Sequence, residues 1–224
     1  MTGPVACVIP ALEAAATLAA VARGLRAALP GAELIAVDDG SRDATFDVAR
    51  ATCDLAIRFD RNRGKGAALR AGIAEGLRCG AGAVVTIDAD GQHDPSSAPA
   101  LVAALADADM VIGARPRGAG TMPPARRLTN ALAAIAVTAI LGVRLPDTQS
   151  GFRAIRRAVL KRIEGRGDRY EYETDFLIRV ALAGFRVASV PVPTIYGAPS
   201  HFRGVTDGGR VVRTIWRHRA EAFR

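Results

Sequence analysis

The sequence predicts an α/β fold: a mostly parallel sheet with helices on both faces. Two observations carry that prediction. Through the first half, short β-rich runs alternate with Ala/Leu-rich segments of helical spacing, which is the pattern of repeated strand–helix–strand units. The chain of 224 residues, half of them hydrophobic and 23% charged, is also long enough to bury the core such a sheet needs, and short for two domains.

The elements follow in order. Strands are expected at "VACVIP" (5–10), "ELIAVDD" (33–39), "LAIRFD" (55–60), "AVVTID" (83–88) and "MVIGAR" (110–115). Helices are expected between them at 13–29, 43–52, 66–79 and 96–106. From residue 113 the pattern changes. "GARPRGAGTMPP" reads as a loop, followed by a helix over 125–141, the segment "PDTQSGFRAI" (146–155), a helix over 173–183 and a strand at "RVASVPVP" (186–193). This second region reads as a lobe attached to the sheet.

Right-handed crossovers place every strand's C-terminal end on one edge, where ligands bind in such sheets. Pro10 with Glu13, Asp38-Asp39-Gly40-Ser41, Asp60-Arg61-Asn62 and Asp88-Ala89-Asp90 then share that edge, together with Gly113-Ala114-Arg115. Four of the five ends carry acids. Turns use Asp and Gly for their own reasons, but four acidic ends on one edge point to a site.

Composition narrows the function. Cys7, Cys53 and Cys79 are far apart, with no CxxC pair, so neither a cysteine metal cluster nor a disulfide framework is expected, and a reducing, cytoplasmic setting fits. No basic region followed by an apolar run opens the chain, so no secretory leader is expected. The longest uncharged stretch, 128–143, falls short of the ~20 residues of a spanning helix. Residues 1–112 hold 10 Lys/Arg and 14 Asp/Glu, a net −4, whereas 113–224 hold 20 and 8, a net +12. A basic second half suits an anionic partner or a solvated Arg-rich face. Eleven aromatics without basic–aromatic interleaving outside the tail argue against a nucleic-acid reader.

Three motifs lie on the strand ends. "RGKGAALRAG" (63–72) has neither the spacing of a P-loop nor the final Gly or Ala of a dinucleotide fingerprint, and reads as a Gly-rich helix start. "DAD" (88–90) places two carboxylates in one strand-end turn, a pattern suited to Mg²⁺ or Mn²⁺ with a diphosphate completing the shell, though such pairs also occur in solvated turns. "VDDGS" (37–41) offers an acid for base or ribose hydroxyls, or alternatively Ser41 as the N-cap of the helix starting near Asp43.

"VIPALEAAATL", "AVDDGSRDATFDVA", "NRGKGAALRAGI", "VVTIDADGQHDP", "VIGAR", "DTQSGFRAIRR" and "YEYETDFLIRVALAGFRVASVPV" together resemble the family 2 glycosyltransferases, most of all the polyprenyl-phosphate sugar synthases such as the dolichyl-phosphate mannosyltransferase branch. The resemblance spans roughly residues 4–205. It implies a GT-A fold, a UDP- or GDP-sugar donor, Mg²⁺ or Mn²⁺, and inversion at the anomeric carbon. It further implies that Pro10, Ala11 and Glu13 contact the base, although the family's Asn-Glu pair is Leu12-Glu13 here, and that Asp39 binds base or ribose. Asp88 and Asp90 match the metal-binding pair, Asp90 being counted with the catalytic groups. Ala89, Gln92 and Lys65 are placed with the donor-binding residues. Arg115 falls at the family's Gly-Ser-Arg position and Arg153 in its Ser-Gly-Phe-Arg segment. The donor half is then 1–115, the acceptor-side half 116–205 and a basic tail 206–224, all in one domain.

The acceptor decides the remaining chemistry. A sugar hydroxyl must lose a proton to a carboxylate, for which Asp175 or Glu173 stands in "YETD". A phosphate monoester, with a second pKa near ~6, needs cations instead. Arg115, Arg117, Arg126, Arg127 and Arg153 suit bidentate phosphate contact, and "PSHFRG" (199–204) adds a basic segment. The expectation is therefore a metal-dependent transfer to polyprenyl phosphate, with a hydroxyl acceptor or a non-catalytic nucleotide-sugar-binding module as alternatives. The tail "GGRVVRTIWRHRAEAFR" (208–224) is either a basic amphipathic helix on an anionic membrane surface or a helix packed on the domain. A peripheral position at the inner membrane face follows from the first reading.

Overall fold

The computed structural model describes residues 3–114, 150–169 and 171–193. The strands are β1 (Val5–Ala11), β2 (Glu33–Asp38), β3 (Leu55–Arg58), β4 (Ala83–Thr86), β5 (Met110–Ala114), β6 (Arg153–Arg156) and β7 (Val187–Pro191). The helices are α1 (Leu18–Ala28), α2 (Thr45–Thr52), α3 (Lys65–Arg78), α4 (Ala98–Ala104), α5 (Arg157–Arg162) and α6 (Glu171–Leu182), with a 3-10 turn at Pro95–Ser97 before α4. The five expected strands and four expected helices of the first half are present. The helix expected from residue 13 starts at Leu18, because the backbone of 13–15 is tied to the neighbouring loop. The helix expected at 125–141, Arg115, Arg117, Arg126, Arg127 and the tail lie outside the described residues.

The seven strands form one sheet in the order β3-β2-β1-β4-β6-β5-β7. β1, β2, β3 and β4 run parallel, as do β5 and β7. β6 lies antiparallel between β4 and β5. The sequence pattern missed this strand. "RAIR" is four residues long and bracketed by arginines, so it carries little strand signal. Its insertion sets the "SGFR" segment directly beside the end of β4.

Side chains alternate across the sheet, as strand geometry requires. Cys7 and Ile9 of β1 pack with Leu18, Val21 and Leu25 of α1 and Leu101 of α4 on one face. Ala6 and Val8 pack with Ala68, Leu69 and Ile73 of α3 on the other. α3 lies close to β1: a Cβ on Gly72 would run into the Val8 side chain, and one on Gly76 would come within 3.0 Å of Ala6 Cβ. Two helix-interior glycines, each about 1 kcal/mol worse than Ala in an isolated helix, are thereby accounted for. Met110, Ile112, Ile155 and Val159 form a further cluster with Phe176, Leu177 and Ile178 of α6, which fixes α6 to the β5–β6 end of the sheet. No helix among the described residues is long and apolar enough to cross a membrane.

Candidate active site

The C-terminal edge of the sheet is organised by backbone–side-chain hydrogen bonds between loops. Glu13 N donates to Ser41 Oγ at 2.9 Å, Ala14 N to Thr45 Oγ1 at 2.7 Å and Ala15 N to Asp43 Oδ2 at 3.1 Å. Arg42 N donates back to Glu13 Oε1 at 2.9 Å. The loop after β1 is thus stitched to the loop after β2, and Glu13 holds a left-handed backbone, φ 49°. Ser41 serves as that stitch and not as the N-cap of α2; Ala44 occupies the cap position. Pro10 and Ala11 are buried at the end of β1, and Ala11 O accepts the Asp39 N–H at 2.8 Å.

The two acids ending β2 differ in role. Asp38 is fully buried, accepts Ser41 N at 2.9 Å and lies 3.4 Å from Arg58 Nε. Asp39, 3% exposed, accepts the N–H groups of Arg63 at 2.6 Å and Gly64 at 2.8 Å. Burial raises its carboxyl pKa, and those two N–H groups pull the other way. Asp39 therefore fixes the turn into α3 and lies beside a cleft of about 530 Å³ lined by Arg58, Phe59, Asp60, Arg61 and Arg63.

The "RGKG" stretch is explained by what lies on it. Gly66 N donates to Asp168 O at 2.7 Å, and Ala67 N reaches the same oxygen at 3.3 Å. The loop before α6 thus caps the N-terminus of α3, supplying a carbonyl where a P-loop would bind phosphate. A Cβ on Gly64 would run into Asp168 O, and one on Gly66 would lie 2.7 Å from Gly167 O. Lys65 stands between the two glycines.

The Lys65 ammonium lies 2.6 Å from Asp88 Oδ1 and 3.1 Å from Glu173 Oε2. Asp88 follows β4 at the same edge, with Ala89 buried behind it. Asp90 Oδ1 accepts Gln92 N at 3.0 Å, and Asp94 caps the 3-10 turn through Ser96 N at 2.9 Å. His93 is buried against the Phe152 ring, centroids 5.5 Å apart. Gly151, two residues before β6, is a residue that motif reading passed over. A Cβ there would lie 2.5 Å from Asp88 Oδ2 and 2.8 Å from Oδ1, while Gly151 O accepts the Thr86 hydroxyl at 2.8 Å. The small residue in "SGFR" makes room for the Asp88 carboxylate.

Arg153 is 2% exposed, with Nε on Ser150 O and Nη1 on Glu173 O, both at 2.7 Å. It ties β6 to the first turn of α6. Glu173 and Asp175 are both buried, but two residues apart on a helix they diverge by ~200°. Glu173 turns to Lys65. Asp175 Oδ2 accepts Arg166 N and Arg179 Nε, each at 2.7 Å. The structure therefore brings together Asp88, Lys65 and Glu173, with Gly151 and Arg153 supporting them, and sets Asp175 in a separate ion pair.

The donors available to a metal here are hard carboxylate oxygens, with no group of three or more His, Cys, Asp and Glu converging among the described residues. Two carboxylates are a donor set that Mg²⁺ or Mn²⁺ could use, since these ions keep water and substrate phosphate oxygens in their shell; here Asp88 Oδ1 is held by Lys65.

The sequence profile of "Glycosyl transferase family 2" matches residues 6–164. An undecaprenyl-phosphate mannosyltransferase from Micrococcus luteus is 34% identical over 198 residues, covering 83% of this chain and 81% of that protein. A polyprenol monophosphomannose synthase from Mycolicibacterium smegmatis is 34% identical over 200 residues, covering 83% and 75%. Among solved structures, the glucosyl-3-phosphoglycerate synthase of Mycobacterium tuberculosis, in complex with Mn²⁺, UDP and phosphoglyceric acid, superposes with a TM-score of 0.79 at 23% identity, covering 96% of this chain and 78% of that one. That likeness shows the GT-A fold. The profile match over most of the chain and the relatives at 34% identity show that this chain belongs to glycosyl transferase family 2.

Proposed function

We propose that this glycosyltransferase moves a sugar from a UDP- or GDP-sugar to polyprenyl phosphate, with inversion at the anomeric carbon. The observation that carries the acceptor class is the state of the two candidate bases. Glu173 is held by Lys65, and Asp175 by Arg179 and the Arg166 N–H. A hydroxyl acceptor needs a carboxylate ready to take its proton. A phosphate acceptor is already anionic and needs none. The relatives named for undecaprenyl-phosphate and polyprenol substrates support the same reading.

In this reading Asp88 and Asp90 hold Mg²⁺ or Mn²⁺, which when bound supplies charge neutralisation on the departing diphosphate. Ala89 and Gln92 shape that turn. Pro10, Ala11, Glu13 and Asp39 form the wall against which the base lies, and Asp39 also fixes the 63–64 backbone. Lys65 presents its ammonium to the diphosphate. An acceptor phosphate oxygen attacks C1 from the opposite side, the C1–O bond to the diphosphate breaks, and the nucleoside diphosphate leaves with that electron pair. Arg153 positions α6 through the Glu173 carbonyl, while Arg115, Arg117, Arg126 and Arg127 meet the acceptor phosphate. The 1–115 half binds the donor, the 116–205 half the acceptor, and the 206–224 tail rests on the cytoplasmic membrane face.

The test is direct. Purified protein with Mg²⁺ or Mn²⁺, a panel of nucleotide-sugars and polyprenyl phosphate gives a glycolipid, and Asp90→Ala abolishes it. Transfer to soluble hydroxyl acceptors alone refutes the lipid assignment, and full activity in Asp90→Ala refutes the metal site.

A further inference from the structure

Lys65 already holds a carboxylate oxygen that a cation bound to Asp88 would use. Its ammonium lies 2.6 Å from Asp88 Oδ1 and 3.1 Å from Glu173 Oε2, and the three side chains are 15%, 25% and 6% exposed. A divalent ion on the same carboxylate oxygen, at the ~2.0–2.1 Å typical of Mg²⁺, would stand within a few ångströms of a second positive charge. At such separations, in a partly buried site, repulsion between cations is strong. On its other side the carboxylate is close to Gly151, where an added Cβ would lie 2.5 Å from Asp88 Oδ2.

We propose that Lys65 makes metal binding conditional on the nucleotide. The inference rests on Asp88 and Asp90 being the metal-binding pair. With no diphosphate present, the ammonium neutralises Asp88 and competes with the ion. An arriving diphosphate offers anionic oxygens that draw the ammonium off Asp88 and supply ligands to the ion at the same time. Glu173 retains the lysine during the exchange, so the ammonium swings within the site instead of leaving it. Metal and nucleotide thus bind with positive coupling, and by linkage each raises the other's affinity by the same factor. Lys65 is a positioning residue in this scheme, and the property it controls is binding order.

The experiment measures Mn²⁺ binding to the full chain by the loss of the free-ion EPR signal, with Mn²⁺ alone and then with UDP or GDP in separate arms. Lys65→Met tightens binding of Mn²⁺ alone by about tenfold, inside the ~5–150-fold range of ordinary coupling, and shrinks the gain from nucleotide by the same factor. Lys65→Arg keeps the charge and binds Mn²⁺ alone as the wild type does. Glu173→Gln moves the other way: the lysine loses its second anion, leans on Asp88 and weakens Mn²⁺ alone. A purely structural role would shift Lys65→Met and Glu173→Gln together. Thermal melting checks folding, and Lys65→Met/Glu173→Gln, which strands no buried carboxylate, must show the same tightening if the single variant is unstable. Unchanged or weaker Mn²⁺ binding in Lys65→Met and in the double variant, while Asp88→Asn loses Mn²⁺, overturns the conditional role alone. Equal Mn²⁺ binding by wild type, Asp88→Asn and Asp90→Asn overturns the metal site and this proposal with it.

Discussion

Gly151→Ala isolates one contact. Gly151 is not among the residues with positive φ, so alanine is compatible with its backbone and the variant adds only a methyl group. That methyl would lie 2.5 Å from Asp88 Oδ2, against the 3.4 Å where ordinary contact begins, so the carboxylate must retreat by about 0.9 Å. The Asp88 side chain is 25% exposed and can swing outward. The stability cost therefore belongs at the low end of the ~1–3 kcal/mol for overpacking, a fall in Tm of roughly 2–4 °C for a chain of this size. The catalytic cost is larger. A displacement of ~1 Å in a positioning group lowers rate by about 10²-fold, or ~2.7 kcal/mol of transition-state stabilisation. Differential scanning calorimetry and kcat/KM for glycolipid formation measure the two effects separately. A kcat/KM within threefold of wild type would show that Asp88 does not need its observed place. A melting loss above ~10 °C would show that the methyl disturbs far more than one carboxylate.

The other predictions address neighbouring contacts. Gly72→Ala drives a methyl into fully buried Val8 and lowers stability by about 1–3 kcal/mol, read by urea denaturation; an unchanged midpoint would mean that α3 shifts freely off β1. Asp175→Asn removes the charge that accepts Arg179 Nε and Arg166 N. It lowers stability by ~1–3 kcal/mol, less than a fully buried pair would, because the Arg179 side chain is 20% exposed, and it leaves transfer to polyprenyl phosphate within tenfold. A normal Tm with no turnover would instead make Asp175 the base. In the native state Cys79, exposed, reacts with a thiol reagent at neutral pH, whereas Cys7, buried and pushed up to about 12, reacts only after unfolding; native-state labelling of Cys7 would contradict its burial.

The strand–helix alternation was legible because each unit carries its own periodicity. Asp39, Asp88 and Asp90 could be placed on one edge for the same reason: strand ends can be read without knowing strand order. What escaped the sequence depends on pairings between distant segments. β6 is four residues, two of them arginines. It is a strand because β4 and β5 offer it two edges, and no local signal carries that. Gly151 and Glu173 gained their meaning only once β6 set them beside Asp88 and Lys65. Conversely, Ser41 looked like a helix cap because its local sequence suits one, yet its hydroxyl serves Glu13, 28 positions away.

The positive charge of the second half requires a similar correction. A net count treats every arginine as available to an anionic partner. Arg153 bonds Ser150 O and Glu173 O. Arg156 Nε bonds Ala108 O, and its Nη2 reaches Leu105 O and Ala106 O at the end of α4. Arg157 Nη1 bonds Leu77 O and Ala81 O at the end of α3. Helix C-termini leave carbonyls without intrahelical partners, and cations there satisfy both the hydrogen bonds and the dipole. Arg156 and Arg157 thus tie β6 and α5 to the ends of α4 and α3, Arg153 ties β6 to α6, and Lys65 at the opposite end of α3 faces the acids. The helix is held at its C-terminus by the Arg157 guanidinium and at its N-terminus by the Asp168 carbonyl. Its first side chain is thereby placed beside Asp88 and Glu173. The flanking glycines of "RGKG" admit the Asp168 loop, and the lysine between them supplies the charge.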